Sequence, residues 1–196
     1  MSPEAAFPAP GDALIVVDVQ NDFLPGGALA VARGDEVIAP LNRWARAFAD
    51  AGLPVFATRD WHPADHCSFK AQGGPWPPHC VAGTPGAAFA SSLKLPPATQ
   101  IISKATTPGQ DAYSGFGGTD LAERLERAGV RRVLVGGLAT DYCVLNTVLD
   151  ARKAGFEVLV PESAVRAVDV QPGDGARALE RMKQAGAKIV PDGASR

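Results

Sequence analysis

Four times along the chain, a stretch with helical spacing of apolar residues runs into Ala-Gly and then a short apolar run: "AGLPVFAT", "AGVRRVLVGG", "AGFEVLV" and "AGAKIV". The helical stripes are Val37, Leu41, Trp44 and Phe48; Leu121, Leu125 and Ala128; Val144 and Val148; and Leu179 and Met182. Recurrence at three and four residues places each set on one helix face. Gly52, Gly129, Gly155 and Gly186 stand where a left-handed residue closes a helix. The runs that follow are rich in Val, Ile and Leu and do not alternate with polar residues, as in strands covered on both faces of a parallel sheet. "ALIVVDVQ" and "QIISKA" have the same character. The pattern predicts six strands, at about 13–19, 53–59, 100–104, 132–137, 156–161 and 187–190. Alternating strand and helix then gives an α/β fold: a single three-layer domain over residues 1–196, with a six-stranded, mostly parallel sheet flanked by helices.

One gap breaks the alternation. Between the second and third strands lie nearly forty residues, crowded with Pro and Gly and without helical period. A loop that long inside a compact domain is usually functional or disordered. Here it holds all three histidines of the chain, His62, His66 and His79, and two of the three cysteines, Cys67 and Cys80, in "RDWHPADHCSFKAQGGPWPPHC". Asp60 and His62 are two apart at a strand end, so both can face one ion, and His79 returns from across the loop. One carboxylate and two imidazoles with open positions suit Zn²⁺, Fe²⁺ or Mn²⁺. His66 is a fourth ligand or a neighbour of the site. Cys67 and Cys80 are not a C-x-x-C pair, which argues against a zinc finger.

Ligands of open α/β sheets bind outside the carboxyl ends of the strands. The first strand ends at Asp18, the second at Asp60, the third at Lys104, and the fourth leads through "GGLATDYC" to Cys143. Four strands thus deliver ionisable or nucleophilic groups to one edge. Cys143 falls in the first turn of a helix that Thr140 or Asp141 can cap. The free N–H groups and positive end of that helix are expected to lower the thiol pKa and to offer an oxyanion site. A cysteine beside apolar residues is commonly an inert core residue. The Gly-Gly strand exit argues for a nucleophile instead. With every histidine in the loop, Asp18 and Lys104 are its available partners.

Composition removes other readings. A chain of 196 residues with 46% hydrophobic and 20% charged residues is ordinary globular material. A net charge of −2 gives no attraction for nucleic acid or an anionic membrane. No apolar run approaches the roughly 20 residues of a membrane span, and "MSPEAAFPAPGD" has no signal-peptide pattern. Three cysteines do not make a disulfide framework, so a cytoplasmic location with reduced thiols is expected. No G-x-G-x-x-G opens a first helix, against a dinucleotide-binding dehydrogenase. Gln20 stands where an Asp-x-Asp phosphatase needs its second carboxylate.

With these residues in hand, the chain resembles the nicotinamidases of the isochorismatase-like cysteine hydrolase superfamily over nearly its whole length. "ALIVVDVQNDFLPGGALAV" resembles the first strand and its aspartate. "TRDWHPADHCSF" and "GGPWPPHCVAGTPGAAF" resemble the metal loop, "SKATTPGQDAYSGF" the lysine segment and "VGGLATDYCVLNT" the nucleophile segment. The resemblance implies a catalytic set of Asp18, Lys104 and Cys143. It also implies a divalent metal, zinc first and then iron or manganese, on Asp60, His62 and His79. It implies an oxyanion hole from the N–H groups of Ala139 and Cys143, with a cis bond between Leu138 and Ala139. Phe23, Trp76, Tyr113 and Tyr142 would line the pocket. The implied reaction is hydrolysis of nicotinamide to nicotinate and ammonia through a thioester on Cys143, with pyrazinamide also accepted. The expected partner is that small molecule alone, with no nucleic acid or membrane, and the chain a monomer or a homo-oligomer such as a dimer. Rival readings are an amidase for another small amide or carbamoyl compound, a vinyl-ether hydrolase, in which Cys143 would have no role, and a metal-binding scaffold without catalysis.

Overall fold

Asp12–Val17 forms β1, an unbroken run of six buried residues. It lies between β2 (Val55–Asp60) and β4 (Arg132–Leu138), both parallel to it. β3 (Gln100–Lys104) extends the sheet beyond β2, and β5 (Glu157–Pro161) and β7 (Lys188–Val190) extend it beyond β4. The order is therefore β3-β2-β1-β4-β5-β7, and a two-residue β6 (Val165–Arg166) pairs with the end of β4. A computed structural model describes residues 7–191 of the chain. Residues 1–6 and 192–196, the ends of the expected 1–196 domain, lie outside the described residues.

Side chains alternate across β1 and so feed two cores. Ala13, Ile15 and Val17 face the cluster closed by Leu121 and Leu125 of α2 (Leu121–Arg127), Val148 of α3 (Leu145–Lys153) and Met182 of α4 (Asp174–Gln184). Leu14 and Val16 face the other cluster, closed by Leu41, Trp44 and Phe48 of α1 (Ile38–Asp50). Each such large side chain contributes roughly 1.5–3 kcal/mol by burial. Both faces of the sheet are covered, as its apolar strands require. Gly52, Gly129, Gly155 and Gly186 all have positive φ after their helices.

Some boundaries differ from expectation. β1 stops at Val17, two residues early, because Asp18 turns left-handed at φ +50°. β2 starts after Pro54, whose missing N–H cannot join a ladder. Ala128 follows the end of α2 and is exposed; Val130 fills the core there instead. The sheet has a seventh strand, β6, too short to leave a periodic signal. Residues 61–99 contain only two short 3₁₀ turns, Lys70–Gln72 and Pro85–Ala87. Among the described residues, no helix is long and apolar enough to cross a membrane.

Candidate active site and metal centre

The strand order changes direction between β1 and β4, and a crevice opens outside their carboxyl ends. Asp18 follows β1 and Cys143 follows β4, so they flank that crevice. Close approach of the two strands depends on Gly137, at φ +134°, where a Cβ would overlap the Val17 carbonyl.

Asp18 is fully buried in a conformation that non-glycine residues rarely hold unless their surroundings impose it. Its Oδ1 accepts a 2.6 Å hydrogen bond from Thr58 Oγ1 on β2. Its Oδ2 lies 2.9 Å from Lys104 Nζ in a fully buried ion pair. Lys104, at the end of β3, directs its donors to Asp60 Oδ1 at 2.5 Å, the Ala112 carbonyl at 3.2 Å and Cys143 Sγ at 3.6 Å. Burial and the Asp60 charge hold the Asp18 pKa above the ordinary carboxylate value, although Lys104 opposes them. Burial opposes the Lys104 charge, but Asp18 and Asp60 outweigh it and push its pKa well up. Burial also opposes ionisation of Asp60, where Lys104 and His62 win and its pKa falls. One ammonium thus serves two carboxylates, and a carboxylate oxygen of each lies within 4.8 Å of the thiol sulfur.

Cys143 sits in a π-helical turn, Thr140–Val144, that leads into α3. The expected cap is absent. Ala139 takes the N-cap position without a side-chain bond, and the Asp141 carboxylate reaches instead to the N–H groups of Val168 and Asp169, both at 2.9 Å. The expected depression of the thiol pKa is absent as well. Burial is the largest effect and raises it, and the nearby Asp18 and Asp60 carboxylates add to the rise against Lys104. The site thus disfavours the bare thiolate, and ionisation calls for a nearby proton acceptor. The Leu138–Ala139 peptide bond is cis. The Ala139 carbonyl accepts from Tyr142 and Val144, both at 3.1 Å, and the N–H of Cys143 between them is in neither bond.

The end of β2 and the loop after it bring three potential ligand groups to the same cavity. Donor atoms of Asp60, His62 and His79 lie within 4.8 Å of one another, and all three residues are buried. Nδ1 of His62 bonds the Ala105 carbonyl at 3.1 Å and Nδ1 of His79 the Pro77 carbonyl at 2.8 Å. A carbonyl accepts only, so both Nδ1 atoms carry the proton and both Nε2 atoms are free to bind a metal. Burial lowers the His79 pKa and favours the neutral ring that a ligand needs. This donor set fits a divalent ion. His66 is differently engaged: Nδ1 pairs with Ser68 Oγ at 2.7 Å and Nε2 with the Gln110 carbonyl at 3.1 Å. Its ring stacks on His62 with centroids 4.1 Å apart. It packs against His62, and both of its own ring nitrogens are engaged by protein groups.

The cavity has about 540 Å³ of free space, its open mouth included. Phe23, Trp76, Tyr113 and Tyr142 line it, as do Asp60, His62, His79, Ala139 and Cys143. Trp76 Nε1 donates to the Tyr113 hydroxyl at 3.1 Å, and the Trp76 and Tyr142 rings meet edge to face. Leu29, Val31, Leu138 and Val168 complete the apolar wall, with Ser68 beside the histidines. Sequence reasoning missed these and Thr58. Thr58 had a signal, since it is two residues before Asp60 and so shares its strand face. Val168 had none, because Asp141 holds its segment over the pocket from 27 residues away.

Comparison with known proteins places the chain in a family. The model of the isochorismatase domain matches residues 12–191, and the chain belongs to the isochorismatase family. The chain is 38% identical to a nicotinamidase of Escherichia coli (strain K12) over 201 residues, covering 92% of this chain and 94% of that one. It is 41% identical to a nicotinamidase/pyrazinamidase of Mycobacterium tuberculosis over 188 residues, covering 91% and 97%. Its fold is similar to the crystal structure of the pyrazinamidase of Pyrococcus horikoshii in complex with zinc, with a TM-score of 0.89, 54% identity, and 93% and 99% of the two chains covered.

Proposed function

We propose that this chain is an amidohydrolase that converts nicotinamide to nicotinate and ammonia and accepts pyrazinamide. The observation that carries this reading is one cavity lined by a buried thiol and by three residues that could hold a metal, with Asp18 beside the thiol and Lys104 pairing both Asp18 and Asp60. The relatives' names support the same substrate class.

In this proposal Asp18 Oδ2 takes the proton of Cys143, and the sulfur attacks the amide carbon. The N–H groups of Ala139 and Cys143 stabilise the oxyanion. The carbon–nitrogen bond breaks as Asp18 gives its proton to the leaving nitrogen, and ammonia departs from a thioester. Asp18 then accepts a proton from water as that water attacks the thioester and returns it to the departing sulfur, which restores the thiol and the carboxylate; the acid released ionises to nicotinate. Lys104 holds Asp18 and balances the charge as the thiolate forms. Phe23, Trp76, Tyr113 and Tyr142 hold the ring and exclude water. Asp60, His62 and His79 would hold a divalent ion, zinc in the first instance, which supplies a Lewis-acidic anchor for the azine nitrogen.

Ammonia release from a panel of nicotinamide, pyrazinamide, N-carbamoyl amino acids and ureido acids tests this assignment. The expected result is turnover of the two azine amides well above the rest. Turnover of a carbamoyl compound with nicotinamide untouched would move the chain to another amidase of the family.

A further inference from the structure

The proposed chemistry leaves unexplained the three polar residues between Asp18 and the pocket-lining Phe23: Gln20, Asn21 and Asp22. Gln20 is fully buried. Its Nε2 donates to the carbonyls of Asp60 at 2.8 Å and Ala87 at 2.9 Å, and its Oε1 accepts from the Asp60 N–H at 2.8 Å. One side chain thus binds both main-chain polar groups of a proposed metal ligand and ties them to the far end of the loop. Asp22 Oδ2 accepts from the Cys80 N–H at 2.7 Å, and Oδ1 accepts from the Ala28 N–H at 3.3 Å. Cys80 directly follows His79 and is left-handed at φ +46°, a conformation that persists only when its surroundings hold it. Gly86 packs so closely on the Asp22 carboxylate that a Cβ there would overlap it. Asn21 differs: its Nδ2 donates to the Pro85 carbonyl at 2.8 Å in an exposed position, away from any ligand. The 3₁₀ turn Asn21–Phe23 sends these neighbouring side chains to separate parts of the loop.

We infer that Gln20 and Asp22 are positioning residues for the metal centre: Gln20 places Asp60, Asp22 places His79, and together they set the separation of two ligands nineteen residues apart in the chain. The inference rests on the metal-site reading above. Groups that orient metal ligands typically govern affinity by about 10–100-fold. A buried amide that satisfies three main-chain groups cannot be removed without freeing the peptide it holds.

The test is the affinity of the metal-stripped full chain for Zn²⁺, read by competition with a chromophoric chelator, with the melting temperature of each stripped protein alongside. Gln20→Ala and Asp22→Ala are expected to weaken Zn²⁺ binding by about 10–100-fold. Asp22→Asn keeps an oxygen for the Cys80 N–H and is expected to recover most of that loss. Asn21→Ala is expected to bind as the wild type does. If the buried Gln20→Ala variant does not fold, the partly exposed Asp22 variants carry the test. A folded Asp22→Ala protein with wild-type Zn²⁺ affinity overturns the inference, and so does an equal loss in Asn21→Ala, which would mark general loosening of the loop. Wild-type protein that binds no Zn²⁺ overturns the metal-site reading and the inference together, whereas wild-type binding with unchanged variants overturns the inference alone.

Discussion

Asp18 and Lys104 lie at the carboxyl ends of β1 and β3, and Cys143 in the π-helical turn that follows β4, all strands of one parallel sheet, whereas His62, His79 and Trp76 are carried by a loop whose only helical pieces are 3₁₀ turns. The first group inherits its position from the sheet. The second is placed by hydrogen bonds from side chains to main chain: Nδ1 of His62 to Ala105, Nδ1 of His79 to Pro77, and the bonds of Gln20 and Asp22. A rigid frame thus carries the groups proposed to move protons, where small displacements cost most. The loop carries the groups proposed to choose and orient the ring. Asp60 belongs to both, as the last residue of β2 and a member of the ligand set.

If this division is right, substitutions on the two sides have different signatures. Cys143→Ala is expected to have the largest effect, a loss of kcat of about 10⁴-fold or more, with bound metal and melting temperature near those of the wild type. Metal analysis beside the kinetics checks it, and substantial activity in a thiol-free site would remove Cys143 from its proposed role. Lys104→Met is expected next, with kcat down by at least about 10²-fold, because Asp18 and Asp60 lose the charge they share. Near-normal kcat across the pH range would reduce Lys104 to a structural cation.

On the loop side, His79→Ala is expected to lower bound metal and nicotinamide turnover together. The same protein should leave Cys143 as reactive as in the wild type toward a small thiol-directed reagent, measured by its alkylation rate. Parallel loss of metal and thiol reactivity would mean that the two walls are one cooperative unit.

The smallest effect is expected at the opposite end of the sheet. Arg132 makes two hydrogen bonds to the buried Asp12, at 2.8 and 2.7 Å, where β4 and β1 begin. Arg132→Ala is expected to cost about 1–3 kcal/mol of stability in denaturant unfolding, with kcat/KM unchanged. An effect on kcat/KM as large as that on stability would show that the sheet passes strain from its amino-terminal end to the site.

The same contrast explains what could be read from the chain. β3 has its expected bounds, and the strand ends after β1, β2, β3 and β4 bring Asp18, Asp60, Lys104 and Cys143 together, because apolar runs and topology act locally and repeat. The convergence of Asp60, His62 and His79 was legible because scarce histidines stand out in a loop. The capping role expected of Asp141 failed because its partners, Val168 and Asp169, are far along the chain. The thiol pKa was expected to fall on helix-end arguments, but the site buries the sulfur beside two carboxylates, and burial decides. Gln20 and Asp22 stood in a recognised motif, yet their partners at Asp60, Ala87 and Cys80 follow only from how the loop folds back.

The central claim is that one cavity joins a thiol that cleaves amides to a metal that selects azines. Initial rates of ammonia release from nicotinamide and from benzamide, by metal-loaded and by chelated protein, test it most directly. The account predicts rapid release from nicotinamide by the loaded protein, little from nicotinamide once the metal is removed, and little from benzamide in either state. Benzamide hydrolysed as fast as nicotinamide, or full nicotinamide turnover by the chelated protein, would contradict it.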